Sequence, residues 1–131
     1  MTVGLATGIA QNMLNLLRGT PFTTPATPSI SMHIADPGAA GTTSPSAGDA
    51  TKKSAAWSAA TSGATCTMAL SASSGPWTDA AATETLSHLG IWIAAGATFY
   101  WSAVLTTPQA WVATNTFTLT TLTLSLTPIA A

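Results

Sequence analysis

The sequence predicts an all-β fold, an antiparallel β-sandwich carrying one N-terminal α-helix. Three observations lead there. Apolar residues recur with a helical period only near the N-terminus. From Ser29 onward they alternate with serine and threonine at a period of two. Glycine- and proline-bearing turn signals then divide the chain into short runs. The length of 131 residues suits a single domain with a core of its own, read as a helix over 1–20 and a sandwich over 21–131.

The helix is predicted over about Thr2 to Arg18. Leu5, Ile9, Met13, Leu16 and Leu17 fall on one stripe, Arg18 sits in the last turn where a cation suits the dipole, and Gly19 is placed to stop the helix. Pro21, Pro25 and Pro28 bar its continuation. The stripe either packs on the protein's own sheet or serves as a docking or self-association face. In that second role it is grouped here with Trp77 and Trp111.

Ile30, Met32 and Ile34 alternate with Ser29, Ser31 and His33, the pattern of a half-buried strand. Asp36-Pro37-Gly38 is a type II turn signal, with proline presetting φ and glycine taking positive φ. The Gly-, Ser-, Thr- and Pro-rich stretch from Ala39 to Asp49 reads as a long exposed loop. Strands are expected at Ser54 to Ser58 and Ala64 to Ser71, while Trp77 stands as an isolated apolar position before a polar turn. Leu86 to Ile93 and Ala97 to Leu105 form a predicted hairpin across Gly96. On it, Leu89, Ile91 and Ile93 oppose His88 and Trp92, and Phe99 shares a face with Trp101 opposite Tyr100 and Val104. Phe117 with Leu119, and Leu122 with Leu124 and Leu126, make two short alternating runs with threonine between.

Composition narrows the function. Only Arg18, Asp36, Asp49, Lys52, Lys53, Asp79 and Glu84 are charged, 5% of the chain, against about 25% in an ordinary soluble domain. A net charge of −1 gives nothing with which to neutralise phosphates, which argues against nucleic acid and an anionic membrane surface. Leu86 to Leu105 is uncharged and long enough for a bilayer crossing, but its alternation and its His88, Gly90 and Gly96 argue against a membrane helix. The N-terminus lacks the basic start of a secretory signal. A surface with so little charge repulsion favours association with copies of itself or with a larger assembly.

The sequence offers little catalytic chemistry. Cys66 is alone and reads as a small buried hydrophobe. His33 with Asp36 has residue types for part of a metal site, but a turn lies between them and the other ligands are missing. Asp79 and Glu84 flank an Ala-rich turn and could approach each other; a turn-capping aspartate and an exposed glutamate are the simpler reading. No nucleophile elbow, phosphate loop or dinucleotide fingerprint is present. No cofactor and no enzymatic activity are expected. Carbohydrate binding by stacking on Trp57, Trp77, Trp101 or Trp111 is the alternative from another class.

The order of motifs is informative. A helix ending in Leu14-Asn15-Leu16-Leu17-Arg18-Gly19-Thr20 precedes Met32-His33-Ile34-Ala35-Asp36-Pro37-Gly38-Ala39-Ala40-Gly41-Thr42. Ala82-Thr83-Glu84-Thr85-Leu86-Ser87-His88, Gly90-Ile91-Trp92 and Ala103-Val104-Leu105-Thr106 follow. From about residue 10 to 127 this resembles small virion proteins of actinobacterial tailed bacteriophages, labelled tail-fibre, minor tail or head-decoration proteins. The His-x-x-Asp-Pro-Gly run is the most specific part. Where such proteins often carry an acidic turn with paired glycines, this chain has Ile93-Ala94-Ala95-Gly96-Ala97. The resemblance implies no catalytic residues. It implies a virion structural protein, in the first place a homo-oligomer decorating the capsid exterior, in the second a minor tail or tail-fibre protein. Its partners would be the major capsid protein or tail proteins and copies of itself. Its location would be the capsid surface or tail, and the host cytoplasm during assembly.

Overall fold

The computed structural model describes residues 4–21, 27–80, 82–93 and 96–127. A helix, α1 (Thr7–Asn15), runs into a 3₁₀ turn (Leu16–Arg18). Eight strands follow: β1 (Ser29–His33), β2 (Lys53–Ser54), β3 (Cys66–Ala69), β4 (Ser74–Thr78), β5 (Thr83–Ile93), β6 (Thr98–Val112), β7 (Thr116–Leu119) and β8 (Thr123–Leu126). Every pairing is antiparallel. One sheet has the order β2-β1-β5-β6, and two ribbons, β3-β8 and β4-β7, make the opposing layer. The predicted all-β sandwich with one helix is what forms.

The alternation in the sequence explains the core. Ile30 and Met32 of β1 and Leu89 and Ile91 of β5 point inward from the sheet, where they meet Trp77 and Leu119 from β4-β7. Leu70, Leu122 and Leu124 close the same core from the β3-β8 side. The predicted hairpin is longer than its alternation suggested, because β5 and β6 pair in two stretches. Between them Leu105–Pro108 oppose only Ser87, and Pro108 has no N–H with which to extend the ladder.

Four expectations are corrected. The helix begins at Thr7, not Thr2. Gly4–Ala6 run extended along β6, with Leu5 opposite Trp101, and Thr2 and Val3, like Pro25, lie outside the described residues. Gly19 ends the helical segment at φ 73°, as expected. The strand expected at Ser54 to Ser58 reduces to Lys53–Ser54, and Trp57 makes only a lone bridge to Leu70. The segment around Trp77 is a strand, hidden in the sequence by Gly75 and Pro76, and it pairs irregularly with β7. Finally, Phe99 and Trp101 do not share a face. Tyr100 is an extra residue between the pairs Trp92↔Phe99 and Ile91↔Trp101, so the bulge sends Phe99 outward against Trp92 while Trp101 lies across from Ile91.

The outer face of the sheet is also covered. Ser29, Ser31 and His33 alternate with the core residues of β1, yet all three are buried. The stretch from Asp36 to Asp49 crosses them in place of extending into solvent. It is tied down by Ser46 N to Met32 O (3.0 Å), Ile34 N to Ser44 O (3.1 Å) and His33 Nδ1 to Thr43 O (2.9 Å). Two glycines make the close approach possible. A Cβ on Gly41 would lie 2.2 Å from the Phe99 ring, and one on Gly90 would lie 2.9 Å from Ser31 Oγ.

Candidate docking surface

The N-terminal arm carries five of the seven residues expected at a docking face. Leu5 is held half-buried opposite Trp101, and Ile9 is the one buried residue of α1. The other three look outward. Met13 is 44% exposed, Leu16 50% and Leu17 88%, with Leu14 beside them. Isolated apolar side chains on a surface need no explanation, but adjacent leucines projecting from one helix end are a patch.

Alongside the helix lies a cleft of about 410 Å³ between α1 and the β3-β8 ribbon. Leu5, Ile9 and Met13 form one wall, Met68 and Leu124 the other, and Ile91 and Trp101 lie along it as well. Among its described lining residues none is charged; hydroxyls come from Thr67, Ser125 and Tyr100. Burial pushes the Tyr100 phenol above its ordinary pKa, so it stays protonated at neutral pH. Such a cleft accepts an apolar side chain, and it offers no acid, base or charged anchor.

Trp77 and Trp111 are elsewhere, and this corrects their grouping with the arm. Both are core residues, 0% and 2% exposed. Their indole N–H groups donate to Thr51 O and Asn115 O, each at 3.0 Å. An indole shielded in this way cannot stack on a sugar or a partner. Of the four tryptophans considered for glycan stacking, Trp57 and Trp101 line the cleft, where few hydroxyls accompany them.

A polar cluster that sequence reasoning passed over sits beneath the crossing loop. Trp92 Nε1–H donates to Ser31 Oγ (2.7 Å), and Ser31 Oγ lies 2.9 Å from His33 Nε2. Since the Thr43 carbonyl can only accept, His33 Nδ1 carries the proton and Nε2 accepts from Ser31. Serine and imidazole are thus arranged as in a nucleophilic dyad. A carbonyl stands where an orienting carboxylate would be, however, and both side chains are shut from solvent. Burial lowers the His33 pKa and outweighs the backbone carbonyls of Thr43 and Ser44, while His88 and Lys52 lower it further. The signal was the Ser-x-His alternation of β1, which says nothing of a second covering layer.

The carboxylates anchor backbone. Glu84, half-buried, accepts from Ser46 Oγ, Ala47 N (3.0 Å) and Gly48 N (3.3 Å). Asp79 is buried, caps Ala82 N (2.8 Å) and presses on Gly48 from another side. The two do converge, but on one glycine of a loop and not on an open site. Asp36 accepts from Gly38 N (2.8 Å), which fixes the predicted turn at φ 72°. Among the described residues no three of His, Cys, Asp and Glu cluster as a metal site needs, and no helix is long and apolar enough to cross a membrane.

Polar groups occupied in holding loops, beside an uncharged cleft and exposed leucines, describe a protein of surfaces, and its relatives are bacteriophage structural proteins. The chain belongs to the family described as Podophage GP4 fiber I protein gp80, which it matches over residues 4–127. That span takes in the arm, both strand layers and the crossing loop. No curated protein matches the chain.

Proposed function

We propose that this chain is a non-enzymatic building block of the phage fibre, joined to copies of itself and to neighbouring fibre or tail proteins through its N-terminal arm. The observation that carries the reading is the pairing of a fibre-family match with an uncharged apolar cleft beside Leu14, Leu16 and Leu17. Of the two virion roles suggested by the sequence, the family description favours fibre over capsid decoration. Apolar contact between many identical copies is how such assemblies hold without charge pairs.

A double variant, Leu16→Ser with Leu17→Ser, separates docking from folding. Both side chains are exposed, so the chain should keep its thermal midpoint while failing to enter particles. Electron microscopy of virions bearing a labelled chain should place the label on fibres. Label over the capsid shell, or normal incorporation of the double variant, contradicts the proposal.

A further inference from the structure

Residues 4–21 are joined to the body by few bonds. Ala6 N donates to Tyr100 O (2.8 Å), Ser102 N to Gly4 O (2.9 Å) and Gly4 N to Ser102 Oγ (3.0 Å). These make Gly4–Ala6 an added strand on the β6 edge of the sheet. Behind it, among the described residues of the arm, only Ala6 and Ile9 are buried hydrophobics, and Met13 borders the cleft between α1 and the β3-β8 ribbon. No salt bridge among the described residues ties arm to body. The arm is therefore a docked unit whose receiving edge is present on every copy of the chain.

The hinge supplies an independent observation. Residues 19–28 connect the arm to β1 and contain Pro21, Pro25 and Pro28. At their far end Thr27 has φ 54° and immediately precedes Pro28. A β-branched residue is disfavoured in the left-handed region, and a following proline pushes it further toward extended backbone. Thr27, at the entry to β1, is therefore held in strained backbone. Transfer to a neighbour re-forms the same contacts and lets Thr27 return to extended backbone, the circumstance that favours exchange between copies. Charge does not oppose it, since β6 carries none and the arm only Arg18.

We infer that the N-terminal arm docks in trans, its Gly4–Ala6 strand pairing with β6 of a second copy. Reciprocal exchange gives a closed dimer, and one-way exchange a ring or filament. The inference rests on the self-association in the proposed function and names the element that performs it.

Two full-length chains test it, each with Cys66→Ala. One carries Leu5→Cys, the other Trp101→Cys with a mass tag. The flanking bonds make Leu5 and Trp101 a non-hydrogen-bonded antiparallel pair, close enough for a disulfide. After co-refolding and oxidation, a dominant mixed disulfide is expected; no excess of it over the two homodisulfides overturns the inference. A second measurement avoids the Trp101 change. Thr27→Gly in the otherwise natural chain relieves the strained hinge and should raise the oligomer dissociation constant by about tenfold per opened hinge. An unchanged constant by analytical ultracentrifugation, or a monomeric natural chain, overturns it. Oligomers without the mixed disulfide refute exchange alone, whereas absence of the chain from virions refutes the assembly reading.

Discussion

Gly41→Ala tests the claim that the long loop is a packed third layer. Gly41 lies at φ 74°, and an added Cβ would stand 2.2 Å from Phe99 Cδ2 and 2.5 Å from Cγ. Phe99 cannot easily retreat, because its ring packs edge-on against Trp92 at 5.1 Å between centroids. Two costs therefore add. Alanine at left-handed φ costs about 1–2 kcal/mol, offset by a few tenths or more from the restricted unfolded chain. Overpacking a rigid aromatic contact costs about 1–3 kcal/mol more. The expected loss is about 2–4 kcal/mol, read as a lower urea midpoint at unchanged slope. Gly96→Ala supplies the comparison: its φ is 86°, but its added Cβ meets the flexible Lys52 Cδ at 2.5 Å. That variant should lose only the backbone part, about 1 kcal/mol. Near-UV circular dichroism should report altered Trp92–Phe99 packing in Gly41→Ala alone. Equal losses in the two variants, or less than about 0.5 kcal/mol at Gly41, would refute the packed layer.

Two further outcomes follow from the polar contacts. The His33 pKa is lowered in the folded chain, so well above pH 6.5 both states are neutral and the full stability is present. As pH falls below 6.5 the unfolded chain binds a proton that the folded one resists, and stability declines until the folded pKa is reached. The urea midpoint should therefore fall between about pH 7.5 and 5.5, and His33→Gln should flatten that slope. Asp49 acts in a separate, more acidic window. Burial opposes its charge, but donors from Thr51 and Thr78 together with Lys53 hold its carboxyl below 3.8, so its contribution is lost only below that value. Glu84→Gln should cost about 1–2 kcal/mol, since an amide nitrogen would face N–H donors. Hydrogen exchange at Ala47 and Gly48 should quicken more than at Ile30; uniform exchange would show that the clamp is not local.

The inward-facing half of this fold was legible because alternation reports directly on which residues leave water. Ile30, Met32, Leu89, Ile91, Leu122 and Leu124 all follow it, and of the leucines in the Leu-Thr run only Leu126, at its end, stays exposed. Contacts between distant segments were less accessible. Ser29, Ser31 and His33 look like a solvent face until a Gly- and Ser-rich loop is known to cross them, which its composition does not reveal. Trp77 is carried by a strand whose Gly75-Pro76 imitates a turn. The Tyr100 bulge reverses the parity of every residue before it on β6, and a period-two pattern has no marker for one extra residue. The helical stripe collected Ile9, Met13, Leu16 and Leu17, while Leu5 lies in the extended segment before the helix. Burial then divided it, because a stripe records direction around the helix and not the extent of the body beneath it. The tryptophans failed for the opposite reason: an indole satisfied by a carbonyl is as compatible with a core as with a surface.

The sparse charges have a consequence for assembly. Asp36, Asp79 and Glu84 anchor backbone N–H groups, Asp49 pairs with Lys53 at 3.6 Å, and Lys52 bonds Gly96 O while lying over the Trp92 ring. Arg18 is the one charged side chain among the described residues outside such contacts, and it stands at the exposed end of the arm. A contact made through the cleft and the leucines therefore desolvates at most one charge per copy, which removes the main cost of burying polar surface. It also leaves association without a Coulombic term for salt to screen. The dissociation constant of the proposed oligomer should then change less than about threefold between roughly 50 and 500 mM sodium chloride, or tighten slightly as burial of apolar area strengthens. Weakening by tenfold or more over that range would mean that charge pairs hold the copies together. In that event Arg18, with an acidic group on the neighbour, would have to replace the leucines as the centre of the interface.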